Sequence, residues 1–220
     1  LSAAGMVNRP GAHSAWLVPP KIPPAPRATA DGEANVRQLV RRHVRAGVDF
    51  IKFATTGGIA SEGDEPDWQT FSADEIRAIV EEAHALKRQV ACHAQGAEGI
   101  KTALRAGVDT LEHGTFMDDE GLALLLESRA VLIPTLSFFH GVMTRGRELG
   151  LPEHWLRKCG PAYEAARHTV RRAHAAGARI AYGTDSASRQ APHGRNAVEI
   201  GLLVELGFTP REALVAATSA

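Results

Sequence analysis

Four short apolar runs each end on a side chain that can hold a metal ion or move a proton. They are VDFIK at Lys52, QVACH at His93, DTLEH at His113 and RIAYGTD at Asp185. Neutral imidazole is a frequent metal ligand. A carboxylate beside a divalent cation stays ionised and can accept a proton from water. An ammonium cannot ligate. A buried lysine with a depressed pKa, however, reacts as a neutral amine with carbon dioxide, and the carbamate's two oxygens can bridge two cations. Each residue also has a plainer reading: a hydrogen-bonded core histidine, an aspartate capping the next segment, a lysine snorkelling to water. Two histidines in successive strands, with an aspartate in a third, favour the metal-site reading.

These residues need a scaffold that brings strand ends together. From Asp31 onward the pattern is regular. Val36, Leu39, Val40 and Val44 make a helical stripe, and Gly47 is placed to end it. Ser72 and Glu75 form a capping box ahead of the stripe Ile76, Ile79, Val80, Ala83 and Leu86. Further helices are expected over about 97–106, 118–128, 161–176, 195–206 and 210–218, the last opened by Thr209, Pro210 and Glu212. RAGVD occurs at 45–49 and again at 105–109, and AAGARI at 175–180 is a looser version. Each marks a helix end, a glycine and a strand start. Strands alternating with helices imply an α/β fold with a parallel sheet buried on both faces. Five strands are expected: VDFIKF, QVACHA, VDTLEH, AVLIPTLS and ARIAYGTD. Five cannot close an eight-stranded barrel, so the expectation is a partial TIM (β/α)8 barrel, roughly strands 4 to 8, with catalysis at the C-terminal strand ends. Residues 1–30, rich in Pro, Gly and Ala and containing PPKIPPAP, read as a loop or cover segment, and 31–220 as the partial barrel.

Composition narrows the function. Of 220 residues, 44% are hydrophobic, enough for a substantial core, and the formal net charge is zero. Zero net charge argues against nucleic acid or an anionic membrane as partner. No stretch is long and apolar enough to span a bilayer. Two cysteines, Cys92 and Cys159, exclude a disulfide framework and fit a reducing, cytoplasmic setting. The start lacks both an initiator Met and a signal-peptide pattern, so the chain reads as a piece of a longer protein. The absence of G-x-S-x-G and of a strand followed by G-x-G-x-x-G argues against a serine hydrolase and a dinucleotide-binding fold.

The segments AGVDFIKFATTGG, FSADEIRAIVEEAH, VACHAQGAEGI, AGVDTLEHGTF, LIPTLS, IAYGTDS, PHGRN and GFTPREALVAATSA together resemble the amidohydrolase superfamily, in particular its imidazolonepropionase-like and Xaa-Pro dipeptidase-like branch. The resemblance covers about Asp31 to Ala220. It implies a metal-dependent (β/α)8 barrel in which Lys52 is the carboxylated strand-four lysine, His93 and His113 are the histidines of strands five and six, and Asp185 is the strand-eight aspartate. Two divalent cations, zinc by expectation, would be held by these four, with Asp185 as catalytic acid and base. The expected reaction is hydrolysis of an amide or peptide C–N bond in a dipeptide, N-acyl amino acid or cyclic amide. The alternatives are a mononuclear deaminase-like site, or an inactive fragment or binding module. The family's HxH pair has no match: no His-x-His occurs, and His13 stands alone in GAHSA. The flanking β-sandwich is likewise unmatched, so the chain by itself is expected to be inactive.

His193, Arg195 and Asn196, in PHGRN, fall where similar proteins carry substrate-facing residues; Arg195 could pair with a substrate carboxylate. Thr55–Gly58 either shape the pocket or only join strand to helix. His140, after TLSFF, lies past strand seven where it could reach the mouth, but reads as outside the site, and Cys92 as a small core residue turned to the helices by strand alternation. A small-molecule amide substrate is expected, with neither nucleic acid nor membrane, and the resemblance leaves a homo-oligomer open.

Overall fold

The structure, a computed structural model, describes residues 2–3, 5–10, 13 and 29–219. PPKIPPAP lies outside the described residues.

Five parallel strands form one sheet in sequence order: β1 (Met6–Val7), β2 (Phe50–Ala54), β3 (Gln89–Ala94), β4 (Thr110–His113) and β5 (Val131–Ile133). Helices α1 (Glu33–Arg45), α2 (Ala73–Ala85), α3 (Ala97–Ala106) and α4 (Asp119–Glu127) are the crossovers, and consecutive ones pack side by side. Then come α5 (Leu136–Arg145), α6 (Glu153–Ala175), α7 (Val198–Glu205) and α8 (Pro210–Thr218). This is the expected α/β architecture of an incomplete barrel.

Period-two alternation sorts the strand residues. Ile51, Phe53, Val90, Cys92, Leu111 and Leu132 are fully buried and join the core built with the helices. Each large aliphatic or aromatic side chain so buried contributes about 1.5–3 kcal/mol. The alternate residues Phe50, Lys52, Ala91, Thr110, Glu112 and Ile133 line a cavity of 460 Å³ on the other face. Local signals hold where they are strong: Ser72 and Glu75 make the capping box of α2, Thr209 and Glu212 that of α8, and Gly47 takes φ 84° after α1.

Four elements differ from expectation. Met6–Val7, inside the segment read as a loop, pairs with β2 through Met6 and Lys52, and Val7 and Phe53. A two-residue strand is too short to show a period. The expected strand ARIAYGTD makes a single bridge, between Ile180 and Leu132, after which the Tyr182 N–H turns to the Ala216 carbonyl of α8. Helix α5 begins inside LIPTLS, which reads as a strand. Helix α6 starts eight residues before the expected 161, with Pro161 inside it; Gly160-Pro161 reads as a break, but buried Lys158 and Cys159 anchor the earlier turns.

Candidate functional site

A cavity of 400 Å³ opens at the C-terminal ends of the strands, the end where barrel chemistry gathers. Its lining includes His13, Lys52, His93, Glu112, His113 and Asp185. The four strand-end residues singled out from sequence thus share one cavity, joined by two that were not.

His93 follows the alternation of β3 onto the cavity side. Its Nε2 lies 2.9 Å from the Gly57 carbonyl, so it carries the proton and Nδ1 remains for another partner. The Thr55–Gly58 turn therefore shapes the site; Thr56 Oγ1 also accepts the Gln95 N–H at 3.0 Å. His113 shares the parity of Leu111 and would face the helices in a regular strand. Its backbone is left-handed, φ 71°, and Gly114 follows at φ 59°; this break in the pleat lets the ring line the cavity. His113 Nδ1 is 2.7 Å from Thr135 Oγ1, which leaves Nε2 open. The His93 and His113 rings meet edge to face with centroids 4.6 Å apart. Burial holds both well below the ordinary imidazole pKa; His13 and His113 add to the effect at His93, and Lys52 and His13 at His113. Both are neutral, the form that ligates.

His13 stacks on His93, centroids 4.4 Å apart. Its Nδ1 is 3.1 Å from Ser61 Oγ and 3.8 Å from Asp64 Oδ2. Lys158, buried in α6, donates to the carbonyls of Gly58, Ser61 and Asp64 and pins this loop. A Cβ on Gly58 would fall on the His13 ring, so only glycine leaves the imidazole its place.

Lys52 Nζ donates to Glu112 Oε2, and Thr110 Oγ1 donates to Glu112 Oε1 at 2.6 Å. Asp185 is left-handed, φ 49°, and its carboxylate lines the cavity with no hydrogen-bond partner among the described residues. Burial raises its pKa, opposed by Lys52 and His13. Glu199 of α7, wholly buried, accepts the backbone N–H groups of Leu136 at 2.8 Å and Ser137 at 2.5 Å and so caps α5. Ser137 Oγ donates to the Thr184 carbonyl at 3.1 Å. The Glu199 carboxylate thus fixes the start of α5 beside Thr135, and the Ser137 hydroxyl ties that turn to the segment carrying Asp185.

In kind, the donors fit a divalent cation: two neutral imidazoles with one open nitrogen each, and an unpartnered carboxylate. Each histidine has its other nitrogen fixed by the frame, the usual support of a metal ligand. In spacing they are open, since among the described residues no three His, Cys, Asp or Glu stand close enough to hold one ion. Lys52 is engaged by Glu112 rather than free.

The remaining candidates separate. Arg195 and Asn196 line a smaller cavity of 130 Å³ between α5 and the loop 186–198, whereas exposed His193 lines neither cavity. Cys92 is wholly buried and its thiol is pushed up to about 12, which makes it a core residue. His140 lies on α5 with Nδ1 3.2 Å from the Tyr163 hydroxyl. Sequence reasoning missed Glu112, whose signal is a charge inside an apolar run, and Thr135, which gives none. No described helix is long and apolar enough to cross a membrane.

Parallel strands, outer helices and polar side chains gathered at the strand ends define a β/α-barrel enzyme scaffold. The sequence profile of the Amidohydrolase family matches residues 4–220, and the chain belongs to that family. It is 35% identical to ochratoxinase of Aspergillus niger over 221 residues, covering 100% of this chain and 43% of that protein. Among solved structures, a Xaa-Pro dipeptidase with bound methionine in the active site superposes with a TM-score of 0.87 at 32% identity, covering 97% of this chain and 53% of that one. A prolidase complexed with N-methylphosphonate-L-proline gives 0.88 at 30% identity, over 97% and 54%. The chain spans about half the length of these relatives.

Proposed function

We propose that this chain supplies the later half of the active site of a metal-dependent amidohydrolase acting on a dipeptide, an N-acyl amino acid or a cyclic amide. The observation that carries the reading is the shared cavity of His93, His113 and Asp185, each presenting an unpartnered donor atom. Nδ1 of His93, Nε2 of His113 and a carboxylate oxygen of Asp185 would hold divalent cations, two zinc ions in this proposal. Bound cations of this kind supply Lewis acidity, polarising a carbonyl and bringing the pKa of water to about 7.

The chain's own groups do the rest. Asp185, whose carboxylate lines the cavity without a hydrogen-bond partner among the described residues and whose pKa is raised, takes a proton from the attacking water and returns it to the leaving nitrogen. His13 stands over His93 at the cavity wall; the Ser61 hydroxyl donates to Asp64 and so accepts from His13 Nδ1–H, which leaves Nε2 as an acceptor that would orient a substrate N–H. Ile59, Ile133 and Phe138 make the wall apolar, which fits a neutral amide. His193, Arg195 and Asn196 remain the candidates for recognising the rest of the substrate. Two unpaired, buried cysteines accord with a cytoplasmic protein.

The Lys52–Glu112 pair favours a second reading, a mononuclear deaminase-like site in which Lys52 stays an ammonium. A carbamate on Lys52 would face the Glu112 carboxylate, so the binuclear form requires that pair to open.

Metal analysis of the full-length protein, with hydrolysis of dipeptides and N-acyl amino acids by Asp185→Asn and Lys52→Ala variants, tests the proposal. Two metals per chain with both variants inactive supports the binuclear hydrolase, and one metal with an active Lys52→Ala supports the mononuclear site. Undiminished hydrolysis by Asp185→Asn overturns both.

A further inference from the structure

We propose that the 130 Å³ cavity between α5 and the loop 186–198 binds an oxyanion of the carboxylate or phosphate class, clasped by Arg145 and Arg195. One face of α5 forms its first wall: Ser137, His140, Gly141, Thr144 and Arg145 recur at the spacing that puts residues on one side of a helix. The second wall comes from the loop, through Ser186, Gln190, Arg195 and Asn196. A Cβ on Gly141 would run into the Gln190 carbonyl, so glycine lets the two walls close at that edge.

The chemistry of the lining is cationic and donating. Among the described residues no carboxylate lines the cavity, which argues against a cation as occupant. Arg145 and Arg195 make no side-chain hydrogen bond or ion pair with any described residue. Arg37, Arg41, Arg105, Arg157, Arg167 and Arg172 are each matched to a carboxylate. Arg45 and Arg211 are unmatched among the described residues, as Arg145 and Arg195 are, but only Arg145 and Arg195 among the described arginines line this cavity. A guanidinium offers a fork of N–H groups that fits a carboxylate or phosphate edge.

Two neutral donors complete the set. His140 Nδ1 lies 3.2 Å from the Tyr163 hydroxyl, which accepts from Arg167 at 3.4 Å; with the hydroxyl proton directed to Nδ1, His140 presents Nε2–H to the cavity. Asn196 Oδ1 accepts from Ser186 Oγ at 3.0 Å, which leaves the Asn196 amide N–H groups free. The hydroxyls of Ser137 and Thr144 are already spent on the Thr184 and His140 carbonyls. The volume suits a small oxyanion rather than a nucleotide.

The two cavities share a wall. Thr184 and Asp185 line the larger one and Ser186 the smaller, and Thr184 Oγ1 is 2.8 Å from Ser186 Oγ. The oxyanion is therefore either the terminal carboxylate of a substrate whose amide lies beside Asp185, or a free anion. The first source rests on the hydrolase reading above; the second does not.

The test uses the full-length, metal-loaded protein. Inorganic phosphate is titrated calorimetrically into wild type, Arg145→Gln, Arg195→Gln and, as a distant control, Arg77→Gln. In parallel, kcat/KM is measured for a dipeptide and for its C-terminal amide. Loss of a charge-assisted contact should weaken the cavity's phosphate binding, or kcat/KM for the free acid, by about tenfold or more in each cavity variant and not in the control. An effect on the free acid but not on the amide identifies the substrate carboxylate as occupant. An effect on phosphate with both substrates unchanged identifies a free oxyanion. Cavity variants that match the control in every assay overturn the proposal. If wild type hydrolyses neither substrate, the hydrolase reading fails, and phosphate titration alone decides the cavity.

Discussion

The imidazole of His13 lies stacked on that of His93, with ring centroids 4.4 Å and planes 17° apart. Charge on either ring disfavours charge on the other, and His13 is among the groups that hold the His93 pKa down. In a His13→Asn variant the His93 pKa should rise towards the ordinary imidazole value, read by NMR titration of the ring protons. Gly58→Ala should act on the same pair, because its methyl group would displace the His13 ring. A His93 pKa unchanged in both variants would show that the stack has no electrostatic role.

Thr135 holds His113 through a 2.7 Å hydrogen bond. Thr135→Val keeps the shape and removes the hydroxyl, whereas Thr135→Ser keeps the hydroxyl. Loss of such a supporting bond typically lowers metal affinity or activity about 10- to 100-fold. Zinc titration of the full-length protein should show that loss for the valine variant, and rescue by serine.

Lys52 and Glu112 are an ion pair in a half-covered interior, with side chains 20% and 13% exposed. Removing one partner strands the other, at a cost of about 3 kcal/mol. Lys52→Met and Glu112→Leu should each destabilise, and the double variant should recover about 2 kcal/mol of the summed loss. Additive losses in denaturant titrations would mean that the two charges are not coupled.

Glu199 gives a pH signature. Burial raises its pKa from 4.5 to about 7, against the opposing pull of the Ser137 and Leu136 N–H groups. Between those values the native state holds more protons than the unfolded chain, so this group's contribution to stability falls as pH rises. His93 and His113 act in the other sense: neutral when folded, they cost stability as pH drops below 6.5 and the unfolded chain takes up protons. Comparing wild type with Glu199→Gln isolates the glutamate. The variant's stability relative to wild type should rise by about 3 kcal/mol from pH 4.5 to 7. A pH-independent difference would contradict a raised pKa.

Much of this was legible in the residues. Lys52, His93, His113 and Asp185 stood out because apolar runs ending on polar groups are rare, and RAGVD repeated the same helix-to-strand junction. What stayed hidden depends on distant partners. His13 has a place in the site through Ser61, 48 positions away, and α5 begins where Glu199, 63 positions from Leu136, caps it. Alternation predicts strand faces but not the left-handed step that turns His113. The run to Asp185 loses its strand because Tyr182 bonds to α8 instead of a neighbouring strand.

Five described residues other than glycine have positive φ, and three of them are His113, Thr135 and Asp185. Such a conformation costs of order 1–3 kcal/mol at each position. A lineage drifting under pressure for heat tolerance alone would be drawn to glycine at all three, erasing the cavity's chemistry while firming its frame. The same arithmetic cautions the engineer: the substitutions that a thermostability screen rewards most readily here are the ones that would disarm the protein.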